Sequence, residues 1–465
     1  MWPFLSCDSL SQKRIPQNGL IPDVLKLGVL RFFWLVFIQI SRQNIYYGDI
    51  RMKFSYSRLL LLGFGFMGVT LLWGLYNAYV PIFLQSGRAD FSSTAGVSGF
   101  GLSAPATGFV MTLDNIAALF ILPFVGAWSD RIRTQIGRRK PFIAIGAPLA
   151  FIGFIGIPFA LSVSLPIFML AIFITLFAMD LFRTPVISLM PDITPSPKRS
   201  QANGMINLMG GFGAVLAFVV GGLMFKISVG APFYFGGIVM LFGCAMVLLF
   251  IKEPKPKDRE PGEKELHLLA SFKTVVSDHD RSALFLLGAI FFWFLGYGAL
   301  EVFFTSFAVN RFGIDSGAAT GLLAFFSLPI VLFSPISGIL GGKFGRKKLI
   351  LIGILLFAVF LGYGFTMTTI TQVKVVLPLS GIAWSIILVN SLPMILDMAP
   401  QDRLGAYTGL YYLSSQLSAV VGPIMAGNII QIFNNDYGVG FLYGSITLII
   451  ALLFMLPVKR GEALS

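Results

Sequence analysis

The sequence predicts an all-α integral membrane protein with twelve transmembrane helices in two pseudo-symmetric six-helix bundles. Composition is the first ground: 56% of the 465 residues are hydrophobic and 12% charged, with positive mean hydropathy, whereas a soluble domain carries about a quarter charged residues. The second is length. Twelve apolar runs can cross about 30 Å of hydrocarbon, near 59–84, 107–128, 141–162, 166–190, 202–224, 231–251, 282–309, 317–341, 347–369, 373–396, 405–430 and 437–458. The third is duplication: GAWSDRIRTQIGRRK at Gly126–Lys140 returns as GILGGKFGRKK at Gly338–Lys348, and Asp192, Pro195, Lys198 and Gly204 return as Asp397, Pro400, Arg403 and Gly409. Internal repeats of this kind build carriers whose halves rock about a central site.

The elements follow in order. Residues 1–51 read as an extension whose apolar stretch, Val24–Ile40, is interrupted by Lys26 and Arg31. It reads as a surface-lying segment or as sequence preceding a native start at Met52. The first bundle is expected over 52–251, a polar linker over 252–281 and the second bundle over 282–465. Loops and tails on the linker side hold 25 Lys and Arg, against four on the other side, Arg88, Lys226, Arg311 and Lys374. That asymmetry puts both termini and the linker in the cytoplasm, and a plasma-membrane carrier is expected.

Several chemistries are excluded. The two cysteines, Cys7 and Cys244, are far apart in sequence, and the two histidines, His267 and His279, fall in the linker, so no metal site or cofactor is expected. No Walker-type loop is present, which argues against ATP hydrolysis by this chain. The basic residues sit in short loops, which orients a membrane protein and does not bind nucleic acid. The chain is read as a carrier and not an enzyme.

The repeated loops suggest a cytoplasmic gate. Asp130 and Arg131 end span two, Gly137, Arg138 and Arg139 form the turn, and Asp192 closes span four; Gly345, Arg346 and Asp397 hold the matching places in the second half. Gly342 stands where a counterpart of Asp130 would fall, so the gate is expected to be stronger in the first half. Plain orienting charge is the alternative account of these loops.

This duplicated loop resembles the signature of the major facilitator superfamily over nearly the whole chain from Met52. Within it, Arg133, Gly137, Arg138, Arg139, Pro141 and Phe142 form an RxxxGRRxPF pattern similar to that of sucrose-transporter-like proteins and of glycoside-pentoside-hexuronide cation symporters. The resemblance implies a twelve-helix fold, alternating access and a small-molecule substrate of the sugar or glycoside class.

Charges inside the spans mark the interior. Burying one costs about 2.5–3.5 kcal/mol on insertion scales, so Asp114 on span two, Asp180 and Arg183 on span four, and Glu301 on span seven are expected to face a cavity or a partner. Asp180 and Arg183 share one helical face; a static ion pair and a partner exchange with Asp114 and substrate are both open. Trp73 and Asn77, and Trp293, Tyr297 and Glu301, follow at four-residue steps, offering aromatic faces and polar heads suited to sugars, although such stripes also serve packing. Asn207 on span five and Tyr411 and Gln416 on span eleven extend the candidate substrate site. Asp114 or Glu301 is expected to carry a proton, because apolar surroundings can hold a carboxyl neutral. Against melibiose-type sodium symporters, Ala118 and Leu122 stand where further aspartates would be, which favours H+ over Na+ as coupling ion. Against plant sucrose carriers, Ile187 stands where an arginine would follow span-four proline Pro185.

The expected function is a proton-coupled sugar or glycoside symporter, a monomer in the lipid bilayer. A proton-coupled drug or metabolite exporter is the first alternative. Its usual Gly-Pro break is missing from span five, where glycines occur without proline, though Gly422-Pro423 lies on span eleven. A non-transporting receptor or scaffold is the second, and would have no need of Asp114, Arg183 and Glu301.

Overall fold

Apolar length and helix-end chemistry set the elements. The computed structural model describes residues 56–194, 199–253, 280–399 and 404–462. Its helices are α1 (Tyr56–Gln85), α2 (Ala104–Arg131), α3 (Lys140–Leu161), α4 (Leu165–Ile193), α5 (Arg199–Phe225), α6 (Ala231–Phe250), α7 (Ser282–Phe312), α8 (Ser316–Leu322), α9 (Ala324–Phe344), α10 (Arg346–Gly364), α11 (Ile370–Asp397), α12 (Leu404–Ile432) and α13 (Val439–Met455). No strand occurs among the described residues. The extension over 1–51 and the body of the linker lie outside them.

Among the described residues, 11 segments are long and apolar enough to cross a membrane, with α8 and α9 forming one crossing over Ser316–Phe344. The last helix, α13, is equally apolar but has 17 residues, about 26 Å at helical rise. Proline in the first turn opens α2, α3, α4 and α6 (Pro105, Pro141, Pro166, Pro232), where a missing N–H leaves no bond unmade. Ser103 caps α2, Asp315 caps α8, and Thr369 with Gln372 forms a capping box on α11, satisfying first-turn N–H groups that lipid cannot. Large apolar side chains such as Phe120, Leu249 and Ile339 point outward, as a surface solvated by lipid requires.

The duplicated sequence is a duplicated packing scheme. Before the linker α1 packs on α5 and α6, α3 on α4 and α6, and α2 on α4. After it the same pairs recur as α7 on α12 and α13, α10 on α11 and α13, and α9 on α11. Between the two sets, α2 meets α12, α5 meets α8 and α9, and α1 meets α7. These contacts are tightest away from the linker. A Cβ at Gly108 would stand 2.3 Å from the Pro423 carbonyl oxygen, and one at Gly222 2.6 Å from that of Gly317, so only glycine permits either approach. Toward the linker Asn203, Gly204, Asn207 and Tyr412 are exposed, and nothing lies within 4 Å of where a Gly204 Cβ would be. Among the described residues, the two sets therefore part at the linker end and close at the other.

Candidate substrate cavity

Between the two sets lies a cavity of about 180 Å³, lined from one half by Trp73, Asn77, Met111, Asp114, Asn115 and Arg183 and from the other by Phe294, Tyr297, Glu301, Ser415, Gln416 and Pro423, among others. Asp114, Arg183 and Glu301 each sit on a long, mostly apolar helix, and their polar side chains turn to this cavity, where water and solute can reach them.

Across the centre, Asn77 Nδ2 donates to Glu301 Oε1 at 3.1 Å, a bond between α1 and α7. Tyr297, one turn earlier on α7, faces the same carboxylate and is itself stacked on Trp384 of α11, with ring centroids 4.4 Å apart and planes 2° from parallel. On the other wall, Asn115 Nδ2 donates to Asp114 Oδ1 at 3.1 Å. The Arg183 guanidinium lies 5.7 Å from the Trp73 ring centroid, a cation–π placement. Asp114 interacts electrostatically with Asp180, Glu301 and Arg183, so a proton or solute taken up by one is felt by the others.

Of the substrate and proton residues expected from sequence, Trp73, Asn77, Asp114, Arg183, Tyr297, Glu301 and Gln416 meet in this cavity. Four do not. Asp180 is buried beside it, and Arg183 stands over Trp73 and not in a direct ion pair with that carboxylate. Trp293 is wholly buried with its indole N–H unpartnered. Tyr411 is buried and shares a 3.0 Å hydrogen bond with Ser391, while Asn207 is exposed near the linker end of α5. Asn115 and Ser415 were missed by the sequence reading, although each adjoins a residue it singled out.

The basic loops tie helices within each half. Arg138 Nη2 meets Asp192 Oδ1 at 2.6 Å and Arg139 Nε meets Asp192 Oδ2 at 3.2 Å, while Arg139 also donates to Ser129. In the second half Arg346 pairs with Asp397. A carboxylate returning from the end of each bundle completes each loop. Glu253 accepts from the backbone N–H groups of Arg138 (2.7 Å), Arg139 (3.0 and 3.1 Å) and Lys140 (2.8 Å), and Glu462 from that of Lys347 (3.3 Å). Gly137 and Gly345 hold left-handed φ values of 122° and 93°, and a Cβ on either would run into that carboxylate. Arg131 is exposed, and the side chain of Asp130 lies outside the described residues.

The Major Facilitator Superfamily model matches residues 59–328 and 312–464. The chain belongs to the major facilitator superfamily. It is 22% identical over 359 residues to multidrug resistance protein 2 of Bacillus subtilis (strain 168), covering 76% of this chain and 86% of that one. It is also 26% identical over 240 residues to human (Homo sapiens) proton-associated sugar transporter A, covering 47% of this chain and 30% of that one. The fold is similar to the crystal structure of a D-xylose-proton symporter, with a TM-score of 0.63, 16% identity, and coverage of 87% of this chain and 97% of that one. A superfamily member with a polar cavity between its halves is a membrane transporter of small molecules, and no step of enzymatic catalysis enters its function.

Proposed function

We propose that this transporter is a proton-coupled symporter of sugars or glycosides working by alternating access, within the sucrose-transporter-like group that its RxxxGRRxPF loop resembles. The observation that carries the reading is the Asn77–Glu301 bond across the halves. Protonation removes the carboxylate's charge and weakens that bond, so a proton on Glu301 changes the coupling between the two sets of helices. Asp114, hydrogen-bonded to its neighbour Asn115, is the second proton site. Arg183 and Trp73, with the amides Asn115 and Gln416, offer hydroxyl-binding and ring-stacking groups to a sugar. One chain holds the whole cavity, in keeping with a monomer, and the 25-to-four bias in basic residues supports a cytoplasmic linker and cytoplasmic termini, with the plasma membrane as the proposed location.

Proteoliposome uptake of a disaccharide panel, with and without an inward proton gradient, tests this. Accumulation that collapses with the gradient is the expected outcome. The reading fails if no sugar enters under any gradient.

Export of amphipathic compounds by proton exchange is the second reading, favoured by the 76% of the chain aligned with a multidrug resistance protein. Expulsion of lipophilic cations from the same vesicles would select it.

A further inference from the structure

We propose that residues 86–103 form a strap that seals the cavity on the side opposite the linker and must come off the second half for solute to pass there. The duplication makes this segment conspicuous. Eighteen residues join α1 to α2, whereas three join α7 to α8 at the matching place. Free chain of that length would be a mobile loop, yet this one is folded back on its own helix. Phe100 N donates to Phe83 O (3.0 Å), Gly101 N to Ser86 O (2.9 Å) and Leu102 N to Leu84 O (2.7 Å).

From that base the strap reaches three elements of the other half. Ser92 N donates to Asn310 Oδ1 on α7 at 2.8 Å, and Ser316 Oγ at the start of α8 donates to Ala95 O at 2.6 Å. The third contact is with the 433–438 turn. Arg88 holds Asp90 in a bidentate pair, Nε to Oδ1 at 2.8 Å and Nη2 to Oδ2 at 3.1 Å, and Asn435 Nδ2 donates to the same carboxylate at 2.7 Å. Arg88 Nη2 also donates to Tyr437 Oη at 3.3 Å. Asn434 and Asn435 both have left-handed φ, 56° and 60°, a conformation asparagine tolerates better than most residues; the turn is shaped to present Asn435 to Asp90. Beneath it Tyr437 Oη donates to Gln85 Oε1 (2.5 Å) and Gln85 Nε2 to Ser306 Oγ (3.0 Å), both buried. Burial pushes the Tyr437 hydroxyl up to about 12, with Arg88 opposing, so it remains a donor at physiological pH.

Most of the contacts are polar, and Asp90 is 47% accessible, while the buried Phe91 ring packs edge-on against Tyr437 with centroids 6.1 Å apart. A mainly polar closure of this kind can be made and broken in each cycle, where a wholly apolar seam would not reopen readily. Among the described residues nothing comparable spans the linker end, where Asn207 and Tyr412 are exposed. The strap therefore holds the state in which the far side is shut, independently of which solute is carried or which carboxyl takes a proton.

The test needs no substrate. In full-length protein with Cys7 and Cys244 replaced by serine, Ser415→Cys places one thiol in the cavity, to be labelled by a membrane-impermeant maleimide applied to either face of sealed vesicles. The double variant Asp90→Ala/Asn435→Ala is expected to raise labelling from the far face by about tenfold while lowering it from the linker face. Asp90→Cys/Asn435→Cys, joined by a short membrane-impermeant bismaleimide applied at the far face, is expected to abolish far-face labelling and leave linker-face labelling intact, the latter showing that the reporter thiol was not consumed. Retention of both variants in the membrane at parental levels controls for folding. Unchanged far-face labelling in the alanine variant, or far-face labelling that persists after cross-linking, overturns the proposal.

Discussion

Asn77 and Glu301 meet at 3.1 Å across the boundary between the two sets of helices, one residue from each half and at matching places on the first helix of each. A neutral amide and a carboxyl make one good bond when the acid is charged and a weaker one when it is not. Glu301→Gln is therefore expected to abolish gradient-driven accumulation, by at least about a hundredfold, while solute exchange at equal concentrations on both sides continues. Asn77→Ala, which leaves the acid but removes its donor, should preserve accumulation and shift the pH at which it is half-maximal. Counterflow and gradient-driven uptake measured side by side check both.

Arg183 and Trp73 act as a unit. The guanidinium stands over the ring and not against Asp180, so a planar cation is used where an ammonium would not stack equally well. Arg183→Lys is expected to lose most of the transport that Arg183→Ala loses, and Trp73→Phe to retain more than Trp73→Ala. A cation–π contact worth about 1–2 kcal/mol when desolvated corresponds to roughly a tenfold rise in the KM for uptake. Near-parental transport in Arg183→Lys, with loss only in Arg183→Ala, would remove the stacking from the account.

The two basic loops should differ in energetic weight. Side chains of Arg139 and Asp192 are 6% and 14% accessible, against 20% and 41% for Arg346 and Asp397. Removing one partner of the more buried cluster strands a charge, which costs about 3 kcal/mol, whereas an exposed pair contributes up to about 1 kcal/mol. Asp192→Asn is expected to lower the melting temperature of the detergent-solubilised protein far more than Asp397→Asn. Glu253→Ala, which unpairs three backbone N–H groups, should likewise exceed Glu462→Ala. Gly137→Ala, at φ 122° and against the Glu253 carboxylate, should exceed Gly342→Ala, where nothing stands within 4 Å.

Long apolar runs are legible because lipid demands them, and the helices begin and end within a few residues of those runs. Charges in the spans are legible for the same reason: Asp114, Arg183 and Glu301 have few places to go but the cavity. Aromatic stripes are less so. Each four-residue step turns about 40° past a full turn, so Trp293 lies about 80° round α7 from Glu301 and ends in the dry core, while Tyr297 between them reaches the cavity. Tyr411 shows a second limit, since its hydroxyl found Ser391 on a neighbouring helix, a partner that sequence spacing does not reveal. The strap was invisible for a third reason: its bonds join residues such as Asp90 and Asn435, 345 positions apart.

Gly108 fixes how closely the halves approach at the far side. Its helix, α2, runs so near α12 that an added Cβ would lie 2.3 Å from the Pro423 carbonyl oxygen and 2.9 Å from its carbonyl carbon, backbone atoms that no side-chain rotation can move. Gly422-Pro423 thus has a place in this contact, whichever direction transport takes. Gly108→Ala cannot be accommodated without separating α2 from α12, and separating them is what opening the far side requires. The substitution is therefore expected to shift the protein toward the far-side-open state without unfolding it, because the other faces of both helices are unaffected. Distances between spin labels placed at the far ends of α2 and α12 should lengthen in Gly108→Ala, and those at the linker ends should shorten. Labels that stay in place at both ends, in a variant that melts with the parent, would mean that the contact yields locally and does not set the balance between the two states.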